Sequence, residues 1–125
     1  MKLLVLALAA AGLVFAQNWP LRPANFTIRF APYTELVSGV PISFKIHVTD
    51  ALHKPVVQAK VTLAIHKRDQ TKTTSFKAPA VARGVYEAKP LFPTPGTWEV
   101  VVQVTWLDQH GARTIEYNVP RSVAP

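Results

Sequence analysis

Apolar residues recur at every second position in most of the chain. Between positions 42 and 48, Ile, Phe, Ile and Val alternate with Ser, Lys and His, and similar alternation runs through 57–65, 98–106 and 115–119. A period of two is typical of strands with one buried and one solvated face. No stretch after residue 16 shows a stripe of helical period. The pattern therefore predicts an all-β protein.

Turn-forming residues divide these runs into about seven short strands. The chain has eleven prolines and five glycines. The predicted strands cover 26–31, 40–50, 56–67, 72–77, 84–89, 96–106 and 112–119. Such strands favour an immunoglobulin-like sandwich of antiparallel strands over a closed barrel. A barrel would need evenly spaced hairpins, whereas the strands in the proline-rich middle of this chain are unevenly spaced. Four aromatic residues fall on the predicted inward faces: Phe44, Trp98, Trp106 and Tyr117.

Residues 1–16 have the features of a signal peptide. Lys2 precedes an apolar run from Leu3 to Phe15, and Val14 and Ala16 occupy the small-residue positions of a cleavage site. The run is shorter than the roughly 20 residues that span a bilayer. We therefore expect cleavage before Gln17 and export to the periplasm or the extracellular space. An uncleaved membrane anchor is the alternative.

The remaining chain is long enough for one domain. We expect an extended segment over 17–24, the sandwich over 25–120 and a tail over 121–125. The absence of cysteine excludes disulfides, thiol redox chemistry and thiolate metal ligands. Because animal secreted domains of this size commonly contain disulfides, the absence of cysteine indicates a protein of the bacterial cell envelope. Trp19, in the extended segment, is interpreted either as a lid on one sheet or as an exposed partner contact.

The basic charge is mostly dispersed along the predicted strands. The net charge is +7, and removal of Lys2 with the signal peptide leaves +6. One local group is visible, at Lys67, Arg68, Lys72 and Lys77. A nucleic-acid-binding domain concentrates its charge and interleaves aromatic residues, so no nucleic-acid partner is expected. The charge is interpreted as solvated surface, with contact to anionic headgroups or to an acidic partner as the alternative.

Sequence motifs for catalysis are missing. The chain contains no Gly-x-Ser-x-Gly elbow, no glycine-rich phosphate loop, no His-Glu-x-x-His and no carboxylate pair at a suggestive spacing. We therefore expect a protein that is not an enzyme.

Two of the four histidines are candidates for a metal site. His53 is expected in the turn after the second strand and His110 in the turn before the last strand, at the same end of the sandwich. Imidazole is the commonest protein ligand for zinc and copper. Asp50 and Asp108 are expected in the same turns and would add oxygen ligands. The alternative is that these histidines are ordinary surface residues.

The other two histidines, His47 and His66, are expected on the outward faces of the second and third strands. Those strands belong to opposite sheets of an immunoglobulin-like sandwich. His47 and His66 should therefore not share a metal.

Three segments resemble known bacterial envelope domains. Residues 50–61, DALHKPVVQAKV, are similar to the D-x-x-G-K-P-V-x-x-A-x-V step of many bacterial immunoglobulin-like domains. Residues 84–86, GVY, and 96–98, GTW, resemble the paired G-x-Y and G-x-W signatures of YtkA-like and FixH-like domains. The resemblance covers about residues 30–107.

This resemblance implies an exported accessory domain that assists copper handling or respiratory oxidase assembly and binds an envelope protein. Copper is the cofactor that it implies. Met1 is the only methionine and leaves with the signal peptide, so a copper site built from imidazole and carboxylate would suit Cu(II) better than Cu(I). Two alternatives remain: a structural module of a larger envelope complex without metal, and a carrier of small apolar ligands.

Overall fold

The computed structural model describes residues 22–121. The predicted signal peptide, Trp19 and the last four residues lie outside the described residues. Nine strands occur in the described part: β1 (Arg22–Pro23), β2 (Phe26–Pro32), β3 (Phe44–Asp50), β4 (Lys60–Lys67), β5 (Thr73–Lys77), β6 (Ala80–Ala82), β7 (Val85–Ala88), β8 (Gly96–Trp106) and β9 (Gln109–Val119).

The strands form two sheets. One has the order β1-β9-β8-β4-β5 and the other β2-β3-β7-β6. All neighbours are antiparallel except the two-residue β1, which pairs parallel with β9. The predicted all-β sandwich is confirmed. As expected, β3 and β4 lie in opposite sheets, which places His47 and His66 in different sheets.

The predicted strand 56–67 spans both sheets. Val56 donates its backbone N–H to Val48 of β3, 2.9 Å away, whereas Lys60 begins β4 in the other sheet. Between them Gln58 has a φ of 59°, a left-handed conformation that ends regular strand pairing. Val56 is fully buried and Val57 only half-buried, so the prediction that Val57 points inward is wrong.

Two further boundaries differ from the prediction. The segment 78–83 was expected to be a turn but contains β6, which pairs with β7 through a bulge. The last strand begins at Gln109 and not at 112, because Trp106 and Gln109 are already paired. The β8–β9 turn therefore consists of Leu107 and Asp108 alone.

The core lies between the two sheets. Phe44 and Trp98 are buried, and the half-buried Trp106 and Tyr117 pack against the core, as predicted. The Phe44 and Tyr117 rings lie 5.6 Å apart, edge to face, a favourable geometry for aromatic pairs. Phe92, from the irregular segment before β8, is also fully buried, although it lies in no alternating run.

Residues 22–121 contain no helix of the length and hydropathy needed to cross a membrane.

Candidate functional site at the loop end

Three turns meet at one end of the sandwich, which we call the loop end: the β3–β4 turn (50–55), the β6–β7 turn (83–84) and the β8–β9 turn (107–108), with residues 24–25 beside them. Phe26 connects two of these turns, because it pairs with Asp50 and its ring lies 6.4 Å from the ring of Trp106. Gly84 packs against Pro55 so closely that an added Cβ would lie 2.5 Å from the Pro55 Cβ.

Asp50 fixes the conformation of the β3–β4 turn. Its Oδ1 accepts the backbone N–H groups of Leu52 and Lys54, at 2.8 and 2.9 Å. Its carbonyl accepts the N–H of His53, which has a φ of 64°. This is the local bonding that aspartate provides in turns. Oδ1 is thus engaged with the backbone, while the side chains of Leu52, His53 and Lys54 are exposed.

His110 lies on β9 and not in a turn, so its predicted position is wrong. It pairs with Thr105, and its Nδ1 lies 3.4 Å from the Thr105 Oγ1. The neighbouring Gly111 faces Phe26 inside the sandwich. Because side chains alternate along a strand, His110 points outward from the five-stranded sheet. The cause is the two-residue hairpin turn, in which Leu107 has a φ of 57°.

The loop end therefore carries both candidate ligands, His53 on a turn and His110 on an outer sheet face, and both are exposed. Within residues 22–121, no group of three or more His, Cys, Asp or Glu side chains is arranged to hold a metal ion. A metal site that uses these histidines remains a prediction. It would rest on the two imidazoles and need further ligands from elsewhere.

The predicted basic group is divided along the β4–β5 pair. Lys67, Arg68 and Lys72 flank the β4–β5 turn at the end opposite the loop end, whereas Lys77 pairs with Thr62 farther along the strands. The Arg68 Nε lies 3.7 Å from a carboxylate oxygen of Glu116. Lys67 and Arg68 thus contact the protein's own polar groups, since the Lys67 Nζ donates to Thr94 at 3.1 Å.

A crevice of about 350 Å³ opens between the edge of β2 and β9. It is lined by Ala24, Phe26, Thr27, Ile28, Gly111, Ala112 and Arg113. Arg113 Nη1 donates to the backbone carbonyl of Ile28 at 2.8 Å. The lining offers one positive side chain and one hydroxyl, and neither a carboxylate nor an imidazole for proton transfer.

Among residues 22–121, two side chains have a shifted pKa. Ser43 donates a hydrogen bond to Glu87, which holds the pKa of this carboxyl below its usual range. The positive charges of Lys45 and Lys89 also lower the pKa of Glu87, whereas desolvation by burial raises it. Burial raises the pKa of Tyr117, and the positive charge of Arg113 partly offsets that rise.

The family model described as YtkA-like matches residues 22–103. This chain belongs to the YtkA-like family. The YtkA-like region includes β1 to β7 and most of β8, and thus His53 and the β3–β4 turn. His110 lies beyond it, so membership of the family carries no information about that histidine.

The fold of this YtkA-like chain is similar to part of the crystal structure of an engineered protein. The TM-score is 0.52 and the sequence identity 18%. The similarity covers 88% of this chain and 22% of the other, so the chain spans about a fifth of that protein's length. At this identity the similarity shows the fold alone. No curated protein matches the chain.

Proposed function

We propose that this YtkA-like chain is an exported, non-catalytic accessory domain of the bacterial cell envelope that binds its partner through the loop end. The observation that carries the proposal is the arrangement of three turns around the packed core, with the exposed His53 on a turn that Asp50 holds in place. Binding residues are commonly found on loops that a rigid scaffold positions.

Copper handling is the finer form of this proposal. His53 and His110 belong to the same end of the molecule, and both side chains are accessible to solvent. Two imidazoles leave coordination positions open on Cu(II), which prefers nitrogen and oxygen ligands in a tetragonal arrangement. A metal held here would therefore be completed by ligands of a partner, as expected of a domain that delivers or receives an ion.

Titration of residues 17–125 with Cu(II) and Zn(II) tests the metal site. We expect one-to-one binding of Cu(II) that is weakened at least tenfold in both His53→Ala and His110→Ala. His47→Ala and His66→Ala are matched controls, because those histidines lie on the outward faces of opposite sheets. Equal binding by all four variants would mean adventitious binding to surface imidazoles and would end the copper proposal.

A structural module without metal is the second candidate, and the edge strand β5 favours it. In the described part of the chain, β5 pairs on one side only, with β4, and its register is regular over Thr73–Lys77. It contains no proline, and such an edge is a template for another strand. We expect a stable complex that Ser75→Pro dissociates. A strictly monomeric protein with no stable partner would count against this candidate.

A further inference from the structure

Two leucines at the loop end are the most exposed large apolar residues in the described part of the chain. Leu52 is 74% exposed on the β3–β4 turn, and Leu107 is 77% exposed on the β8–β9 turn. Neither belongs to the core or packs against it. A single exposed leucine needs no explanation, but here each of two turns at one end has a leucine at its tip.

Leu107 is also an unfavourable residue for its position. Its φ of 57° lies in the left-handed region, where glycine, asparagine and aspartate are preferred in two-residue hairpin turns. A leucine there is neither stabilised by burial nor suited to the turn. Backbone strain of this kind is concentrated at functional sites.

The basic residues near these leucines outnumber the acidic ones. Lys54 follows Leu52 by two residues, Arg83 lies in the β6–β7 turn, and Lys60 begins β4. Five of the seven acidic residues lie toward the opposite end: Glu35, Asp69, Glu87, Glu99 and Glu116. The two at the loop end are Asp50, which is bonded to backbone N–H groups, and Asp108, which follows Leu107 in the β8–β9 turn.

We propose that the loop end docks on an anionic phospholipid surface. Leu52 and Leu107 enter the boundary between headgroups and acyl chains, and Lys54 and Arg83 contact the headgroup phosphates. Apolar insertion combined with attraction of basic residues to anionic lipid is the general basis of peripheral membrane binding. The inference goes beyond the proposed function, since it requires neither imidazoles nor metal.

Lipid suits the two exposed leucines better than the apolar centre of a protein interface does. A stable protein interface buries about 800 Å² on each side around a contiguous, well-packed apolar centre. The loop end instead has single leucines on separate turns with polar residues between them. A fluid lipid surface accommodates each tip independently.

Cosedimentation of residues 17–125 with vesicles tests the proposal. Every core residue lies between Ile28 and Val119, so this chain keeps the whole core and omits the apolar run Leu3–Phe15, which would bind lipid by itself. One vesicle preparation contains equal parts of phosphatidylcholine and phosphatidylglycerol, and the other phosphatidylcholine alone. We expect binding to the anionic vesicles and at least tenfold weaker binding to the neutral ones.

Single substitutions separate the contribution of the leucines to vesicle binding from that of the basic residues. Leu52→Ser and Leu107→Asn should each reduce vesicle binding about fivefold, because each removes a partly inserted apolar side chain. Leu107→Asn should leave the midpoint of thermal unfolding unchanged or raise it, since asparagine tolerates the left-handed region. Lys54→Gln and Arg83→Gln should each reduce binding to anionic vesicles by about fivefold.

Tyr33→Ser is the matched control, because Tyr33 is 73% exposed at the opposite end of the sandwich and should be dispensable for vesicle binding. The proposal is overturned by absence of binding to anionic vesicles, by leucine variants that bind like the unchanged protein, or by an equal loss in Tyr33→Ser. Those outcomes would assign the leucines to a protein contact or leave them as ordinary surface.

Discussion

Gly84 allows the β6–β7 turn to pack against the β3–β4 turn. It has a φ of 70°, and an added Cβ would lie 2.9 Å from the backbone Cα of Pro55, which cannot move away as a flexible side chain could. Its carbonyl also accepts the N–H of Val48 at 3.0 Å. The absence of a side chain at this one position therefore determines how two of the three turns at the loop end fit together.

Gly84→Ala should lower the free energy of unfolding by about 2–4 kcal/mol, because left-handed strain and overpacking add. Gly39→Ala is a matched control, since Gly39 also has a positive φ, of 87°, but an added Cβ would meet no atom within 4 Å. Gly39→Ala should lower the free energy of unfolding by about 1 kcal/mol. Urea denaturation measures both, and equal losses would contradict the packing argument.

Ser43 controls the titration of Glu87. The pKa of Glu87 is depressed in the folded protein, so its carboxylate contributes stability above its unfolded pKa, and this contribution is lost as the pH falls through the folded pKa. Ser43→Ala should raise the pKa of Glu87 and reduce the loss of stability in acid. An NMR titration of the Glu87 carboxyl carbon measures the shift. Ser75→Ala should leave it unchanged, and an unaltered pKa in Ser43→Ala would refute the assignment.

At the scale of elements, Tyr86 of β7 holds the segment that crosses between the sheets. Its hydroxyl donates to the carbonyl of the buried Val56 at 2.8 Å and accepts the N–H of Ala59 at 3.1 Å. These two bonds flank Gln58, where the chain has a positive φ and leaves regular pairing. Tyr86 therefore replaces backbone partners that an uninterrupted strand would supply.

Tyr86→Phe should destabilise the fold by about 1–3 kcal/mol, because it leaves a buried carbonyl without its donor. Tyr33→Phe removes a hydroxyl from an exposed ring and should be close to neutral. Chemical denaturation distinguishes them. If the two variants unfold at the same denaturant concentration, the hydroxyl of Tyr86 has no special role.

Two glutamates oppose each other across β8 and β9. Glu99 pairs directly with Glu116, and like charges in such positions destabilise a sheet. Glu99→Lys should raise the free energy of unfolding by about 0.2–1 kcal/mol at low salt, and added salt should reduce this gain. Glu35→Lys makes the same change of net charge in a connecting segment. An equal gain in that control would attribute the effect to net charge alone.

The alternating pattern predicted most strands correctly, because a sandwich buries one face of each strand against a common core. Two of its errors arose where the backbone turns without a glycine or an asparagine. Gln58 and Leu107 both have positive φ, and neither is a residue that marks such a turn in sequence. The position of His110 was wrong for the same reason, since the hairpin turn at Leu107 is shorter than its polar sequence suggested.

At the scale of the whole molecule, charge and apolar exposure are distributed unequally between the two ends. Most acidic side chains lie toward the end away from the loop end, where Arg68 contacts Glu116 and Ser43 binds Glu87. The loop end displays leucines and basic residues on turns that the core holds in place. This polarity was not predictable from sequence, because it depends on which turns the topology brings together.

The proposed role requires that residues 1–16 act as an export signal and direct the chain out of the cytoplasm. Val14 and Ala16 provide the small side chains that a signal peptidase requires. Ala16→Arg should block cleavage and leave a longer chain associated with the membrane. Mass spectrometry of the intact protein distinguishes the cleaved chain from the uncleaved one.

The most direct test of the proposal is therefore the location and N-terminus of the full chain, expressed in a Gram-negative bacterium with a C-terminal tag. We expect a protein in the periplasmic fraction that begins at Gln17. An uncleaved chain in the cytoplasm would contradict it, because a domain that stays there cannot serve the envelope.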